Sequence, residues 1–190
     1  VGGGQIGYNW QFNPQWLLGI EADMSGSGIK GSVSYPTNGA SPADLSVDQK
    51  LEWFGTVRAR LGWLPTDRLL VYGTGGFAYG SVKESVAFNG VPVVLNAGGF
   101  GIACLAGQTC MAGSSSGVRT GWTVGAGLEY ALSQNLTVRA EYLHVDLGSD
   151  SFRVSSIRYI NQGGTIPSSF NAHFGNAAFD IVRAGVNYRF

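Results

Sequence analysis

Ten charged residues define most of the chemistry this chain could do: Glu21, Asp23, Glu52, Glu129 and Glu141 against Arg58, Arg60, Arg139, Arg183 and Arg189. Each alternates with apolar neighbours, so all ten are expected on the polar faces of period-two segments. Five acids facing five bases can pair into a filled polar core or line a narrow aqueous path. Catalytic constellations are scarce. The histidines are His144 and His173, and neither sits in a recognisable motif. His144 near Asp146 leaves a minimal acyl-hydrolase reading, because triad partners need not adjoin in sequence. His144, His173 and Tyr142 are also weak candidate ligands for haem iron, the alternative being plain rim residues. Gly26-Ser27-Gly28-Ile29-Lys30-Gly31 and Gly73-Thr74-Gly75-Gly76-Phe77-Ala78 fit the dinucleotide fingerprint, but no helix follows either to meet a pyrophosphate. No cofactor and no metal site is expected. Cys104 and Cys110 lie in a Gly/Ala/Ser-rich stretch with no nearby histidine, too few ligands for zinc. A disulfide closing a small surface loop is expected, suiting an oxidising compartment, with two free thiols as the alternative.

The elements that must position these groups are strands. Ile6, Tyr8, Trp10 and Phe12 alternate with Gln5, Gly7, Asn9 and Gln11; after Pro14 the pattern resumes with Trp16, Leu18, Ile20, Ala22 and Met24. Leu51, Trp53, Val57, Ala59, Leu61 and Trp63 oppose Glu52, Thr56, Arg58 and Arg60. Further segments run over 69–80, 121–130, 136–146 and 179–190, and residues 33–35 are too short a run to count as another.

Alternation alone also fits a half-buried soluble sheet. Three features favour a transmembrane barrel. The segments run about 9 to 13 residues, the length a tilted strand needs to cross a bilayer. Short turns near Pro14, Pro65 and Gln134 alternate with long polar loops near 25–50, 81–120 and 147–178. Aromatic residues gather at the short-turn ends as an interfacial girdle would: Trp10, Phe12, Trp16, Trp63, Tyr130, Tyr188 and Phe190. A cationic side chain facing lipid at the midplane costs about 2–4 kcal/mol, so the charges are expected inside. Seven segments are visible, and single-chain bacterial barrels have even strand numbers. An eighth strand, the first of the barrel, is therefore expected upstream of Val1, together with any export signal not already cleaved.

Composition agrees. The 190 residues carry only 13% charged side chains, with 30 glycines and 12% aromatics. The formal net charge is zero, so no global field attracts nucleic acid. No apolar run is long enough for a transmembrane helix.

The runs Gly3-Gly4-Gln5-Ile6-Gly7-Tyr8-Asn9-Trp10 and Leu18-Gly19-Ile20-Glu21-Ala22-Asp23 resemble a hairpin of the small porin-like outer-membrane proteins of alphaproteobacteria. So do Val57-Arg58-Ala59-Arg60-Leu61-Gly62, Gly121-Trp122-Thr123-Val124-Gly125-Ala126-Gly127-Leu128-Glu129-Tyr130 and Val182-Arg183-Ala184-Gly185-Val186-Asn187-Tyr188-Arg189-Phe190. The resemblance covers every strand and none of the loops. It implies an all-β, antiparallel up-and-down barrel of eight strands, one domain over 1–190, in a Gram-negative outer membrane. It also implies an abundant surface antigen; some family members are described as haem-binding or porin-like. Phe190 matches the terminal aromatic that the barrel-assembly machinery reads.

The expectation is a non-enzymatic structural protein of the envelope whose lumen is plugged by paired charges. A weakly conducting small porin is the first alternative, and a surface receptor for haem or a host ligand the second. Expected partners are outer-membrane lipid and lipopolysaccharide, the assembly machinery through the last strand, and further copies or other envelope proteins.

Overall fold

The computed structural model describes residues 1–37, 43–90, 108–156 and 169–188. They form one antiparallel sheet of ten strands: β1 (Gly2–Asn13), β2 (Trp16–Gly26), β3 (Lys30–Thr37), β4 (Ala43–Thr66), β5 (Leu69–Gly90), β6 (Gln108–Ala131), β7 (Leu136–Asp146), β8 (Asp150–Ser156), β9 (Ser169–Phe174) and β10 (Ala178–Tyr188). The main path runs β1-β2-β4-β5-β6-β7-β10, seven staves matching the seven alternating segments. β3 pairs with β4, and the β8–β9 hairpin joins β6 at Met111 and Ala112. β1 and β10 are the two edges of the described sheet, with no backbone ladder between them. They approach closely enough for Gln5 Nε2 to donate to Asn187 Oδ1 at 2.9 Å. The expected eighth strand is not among the described residues.

Local chemistry sets the three tight turns. Asn13 Oδ1 accepts from the amides of Gln15 (2.9 Å) and Trp16 (2.8 Å), an Asx turn that starts β2 after Pro14. The link at Asp67 and Arg68 is equally short, two residues, and Ser133 Oγ accepts from the Leu136 amide at the start of β7. At the opposite end the strands outrun the expectation. The segments read as loops at 25–50, 81–120 and 147–178 carry strand over much of their length, including β3 across 33–35. These extensions are rich in Ser and Gly, so they show little apolar alternation; backbone pairing to neighbouring strands holds them instead.

The radial arrangement is inverted relative to a soluble sheet. Ile6, Tyr8, Ile20, Val182 and Val186 are exposed, whereas Glu21, Asp23, Arg58, Arg60, Glu129 and Glu141 are buried. Exposed apolar faces on nearly every stave make an outer band that water would not solvate well. The outward climb on β5 from Leu69 to Tyr79 covers roughly 33 Å of strand, or about 25 Å of height at a tilt of about 40°, which matches the apolar band of a membrane barrel. Leu61, in register with Gly73, lies near the middle of that band and is half exposed. Leu61→Arg is expected to destabilise the folded protein by about 2–4 kcal/mol in vesicles, read as a lowered midpoint in a urea titration.

One bulge redirects two side chains. Leu51 pairs with Val82 and Trp53 with Ser81, leaving Glu52 unopposed. An extra residue reverses the inside–outside alternation on either side of it. Leu51, expected beside Trp53 on the apolar outer face, therefore turns inward and is 6% exposed. Glu52, expected among the interior charges, instead meets Lys83 and Lys50 at 2.9 Å and 3.3 Å in the solvent-accessible extension.

Candidate functional site

The interior is built in three layers. The middle one holds eight of the ten charges picked out from alternation. Register places three opposite-charge pairs directly across neighbouring strands: Glu21 with Arg58, Glu129 with Arg139, and Glu141 with Arg183. The side chains then reach further than their neighbours. Arg58 on β4 contacts Glu21 Oε1 at 2.6 Å, Asp23 Oδ2 at 2.9 Å and, from across the interior, Glu141 Oε1 of β7 at 3.0 Å. Arg60 spans Glu21 (3.2 Å) and Glu129 (3.1 Å). Arg139 reaches Glu21 and Glu141, each at 3.6 Å, and Arg183 joins Glu141 (2.6 Å) to Asp23 (3.1 Å). Thr56 and Thr137 donate to Asp23 and Glu129 at 2.7 Å and 2.6 Å.

The network thus ties β2, β4, β6, β7 and β10 together through paired side chains. The Arg58 side chain is wholly inaccessible, as is that of Glu141. In such a low-dielectric setting attraction between opposite charges is strong, but so is the penalty for leaving one alone. Close strand approach makes room for it: a Cβ on Gly76, which stands opposite Arg58, would overlap the Val57 carbonyl oxygen.

Apolar layers lie on both sides of the charges. On the turn side Leu17, Leu70 and Tyr72 pack with Leu64, and the Arg60 guanidinium sits 3.9 Å above the Tyr72 ring. On the extension side Leu51, Phe54, Ala78, Val82, Leu143, Val145, Leu147 and Ile181 form a cluster closed by Ala177 and Phe179. Charge alternation alone does not separate these layers. Their signal was present, since Leu143 and Val145 continue the parity of Arg139 and Glu141 on β7.

Beyond the outer apolar layer, Arg119 pairs with Glu84 and, at 3.0 Å, with Asp150. The backbone amide of Ser151, then Arg119, holds the Asp150 carboxyl below its usual range.

The remaining candidates are placed as follows. Trp10, Phe12, Trp16, Trp63, Tyr130 and Tyr188 are all exposed at the turn end. Tyr142 and His144 meet on one carboxylate: Tyr142 Oη donates to Asp180 Oδ1 at 2.6 Å, and His144 Nδ1 lies 2.8 Å from the same oxygen. The partner of His144 is thus Asp180 and not Asp146, which accepts from Gly148 N and Asn176 Nδ2. His173 is in a different hairpin, opposite Ser151. Among the described residues no three His, Cys, Asp or Glu side chains cluster to hold a metal. Arg189, Phe190 and Cys104 lie outside the described residues, and with Cys104 the expected bridge to Cys110.

Comparison with known proteins agrees with this geometry. A family model described as "Outer membrane protein beta-barrel domain" matches residues 1–190. The chain is 43% identical over its whole length to the 31 kDa outer-membrane immunogenic protein of Brucella melitensis, covering 66% of that protein. It is 31% identical over 156 residues to the 22 kDa outer membrane protein of Rhizobium leguminosarum, which is 81% of this chain and 56% of that one. Among solved structures, Ail, the attachment invasion locus protein of Yersinia pestis, aligns over 98% of this chain and 80% of its own, with 17% identity and a TM-score of 0.43. The chain therefore spans just under two-thirds of the length of its 31 kDa relative.

Proposed function

We infer a structural role from the premise that this chain belongs to the outer membrane protein beta-barrel family. It is an outer-membrane protein, all-β and antiparallel. Its proposed task is mechanical and presentational, with no enzymatic step. The staves anchor it in the bilayer, the interior is plugged, and the strand extensions stand beyond the membrane as surface epitopes. The relatives' names, immunogenic proteins of the outer membrane, suit that last part.

The observation that carries the plug is the three-layer interior. Arg58 joins carboxylates from two sides of the lumen, and apolar side chains close it above and below. An ion entering would have to shed water at Phe54 and Leu143 before it reached the middle charged layer, and apolar constrictions of that kind exclude ions by dewetting. Small barrels of about eight strands leave an interior that side chains nearly fill, so plugging needs no extra domain.

Liposome swelling tests the reading. Vesicles bearing the full-length protein are expected to shrink and stay shrunken in small sugars, as empty vesicles do. Swelling at rates that scale inversely with sugar size would replace this reading with that of a small porin.

A further inference from the structure

Three lysines stand directly opposite one another on neighbouring strands. Lys30 of β3 pairs in register with Lys50 of β4, and Lys50 with Lys83 of β5. Like charges so placed destabilise a ladder, so fold stability does not account for the row. Lys83 lies between Val82 and Glu84, which are 3% and 2% exposed, so alternation turns it and its register partners outward. A single carboxylate, Glu52, serves two of them, at 3.3 Å from Lys50 and 2.9 Å from Lys83. Lys30 has no ion pair among the described residues.

The next row on the same face is Ser32, Asp48, Ser85 and Ser114, and Ser116 stands opposite Lys83. With the lysines these residues line a cleft of about 630 Å³. Three ammonium groups against Asp48 and Glu52 leave it cationic, with serine hydroxyls as further donors. Below it, on the same outward face, Trp53 meets Tyr79 edge-on at 6.1 Å, Tyr79 stacks on Phe77 at 6.2 Å, and Phe77 pairs with Trp122. Such an aromatic band marks the outer interface of the bilayer. Lys83 is four positions beyond Tyr79, roughly 10 Å higher, in the headgroup zone just outside the hydrocarbon.

We propose that Lys30, Lys50 and Lys83 form a docking site for the phosphate groups of a phosphorylated glycolipid headgroup in the outer leaflet. The site opens sideways toward the membrane, so its ligand arrives in the plane of the bilayer with its acyl chains against the aromatic band. The headgroup phosphates neutralise the lysine row that Glu52 only partly balances, and sugar hydroxyls meet the serines. This inference rests on the outer-membrane location and is independent of whether the lumen conducts.

The test uses the full-length protein in phosphatidylcholine nanodiscs carrying diphosphoryl lipid A, with bound lipid counted by native mass spectrometry. The triple variant Lys30→Gln, Lys50→Gln, Lys83→Gln is expected to retain at least about tenfold less lipid A, given the contribution of each surface lysine toward anionic lipid. Its heat-modifiable gel shift is expected to remain, because relieving like charges does not weaken the ladder. Arginine at all three positions is expected to keep retention, and Glu52→Gln to raise it. Undiminished retention by the folded triple Gln variant would overturn the proposal. So would equal retention of phosphatidylglycerol, or displacement of lipid A by millimolar inorganic phosphate.

Discussion

Replacing Arg58 with methionine is expected to destabilise the folded protein by about 3–5 kcal/mol, the usual consequence of removing one partner from a buried ion pair. Methionine fills much of the arginine's volume, so the loss reports charge and not a cavity. Arg58 meets three carboxylates, Glu21, Asp23 and Glu141, and its side chain is wholly inaccessible. Without it three guanidiniums would face four carboxylates in the middle layer. Arg183→Met is the internal control. Arg183 keeps 17% side-chain exposure and two partners, so its loss is expected to cost distinctly less. Adding Glu21→Gln to Arg58→Met restores the balance of charge and is expected to recover part of the deficit. Urea-induced loss of the compact gel form in vesicles measures all three.

The second large effect is on permeability. Phe54→Ala together with Arg58→Ala removes two of the largest fully buried side chains, one from the outer apolar layer and one from the charged layer beneath it. The pair is expected to turn a silent barrel into one with resolvable current steps. Those steps should favour cations, because Glu21, Asp23, Glu129 and Glu141 would then outnumber Arg60, Arg139 and Arg183. Arg58→Ala alone leaves the Phe54 cluster closed and is expected to stay near silence. Planar-bilayer recordings of both variants, each first shown to be folded by its gel shift, distinguish a layered plug from a single charged gate.

Much of this molecule is legible in its amino-acid sequence. The strands announced themselves because lipid and lumen demand opposite chemistries of successive residues; Ile6, Tyr8 and Trp10 against Gln5, Gly7 and Asn9 admit few other readings. The interior placement of Arg58, Arg60 and Arg139 followed from the cost of an arginine in hydrocarbon. What stayed hidden was of two kinds. The bulge at Glu52 depends on how β4 meets β5, and nothing in Lys50-Leu51-Glu52-Trp53 announces it, so Leu51 and Glu52 exchanged faces. The partners of Arg58 were also invisible: Glu141 lies 83 positions away, and only curvature of the sheet brings it within reach. The strand extensions were missed because Ser114, Ser115 and Ser116 pair through their backbones without an apolar face to betray them.

The most direct test of the account is current through single copies of the unmodified full-length protein in a planar bilayer, with folding established by the heat-modifiable shift. The layered interior predicts a baseline indistinguishable from the protein-free membrane. Steady, ion-selective steps from the unmodified protein would contradict the plug and make the charged layer the lining of a pore.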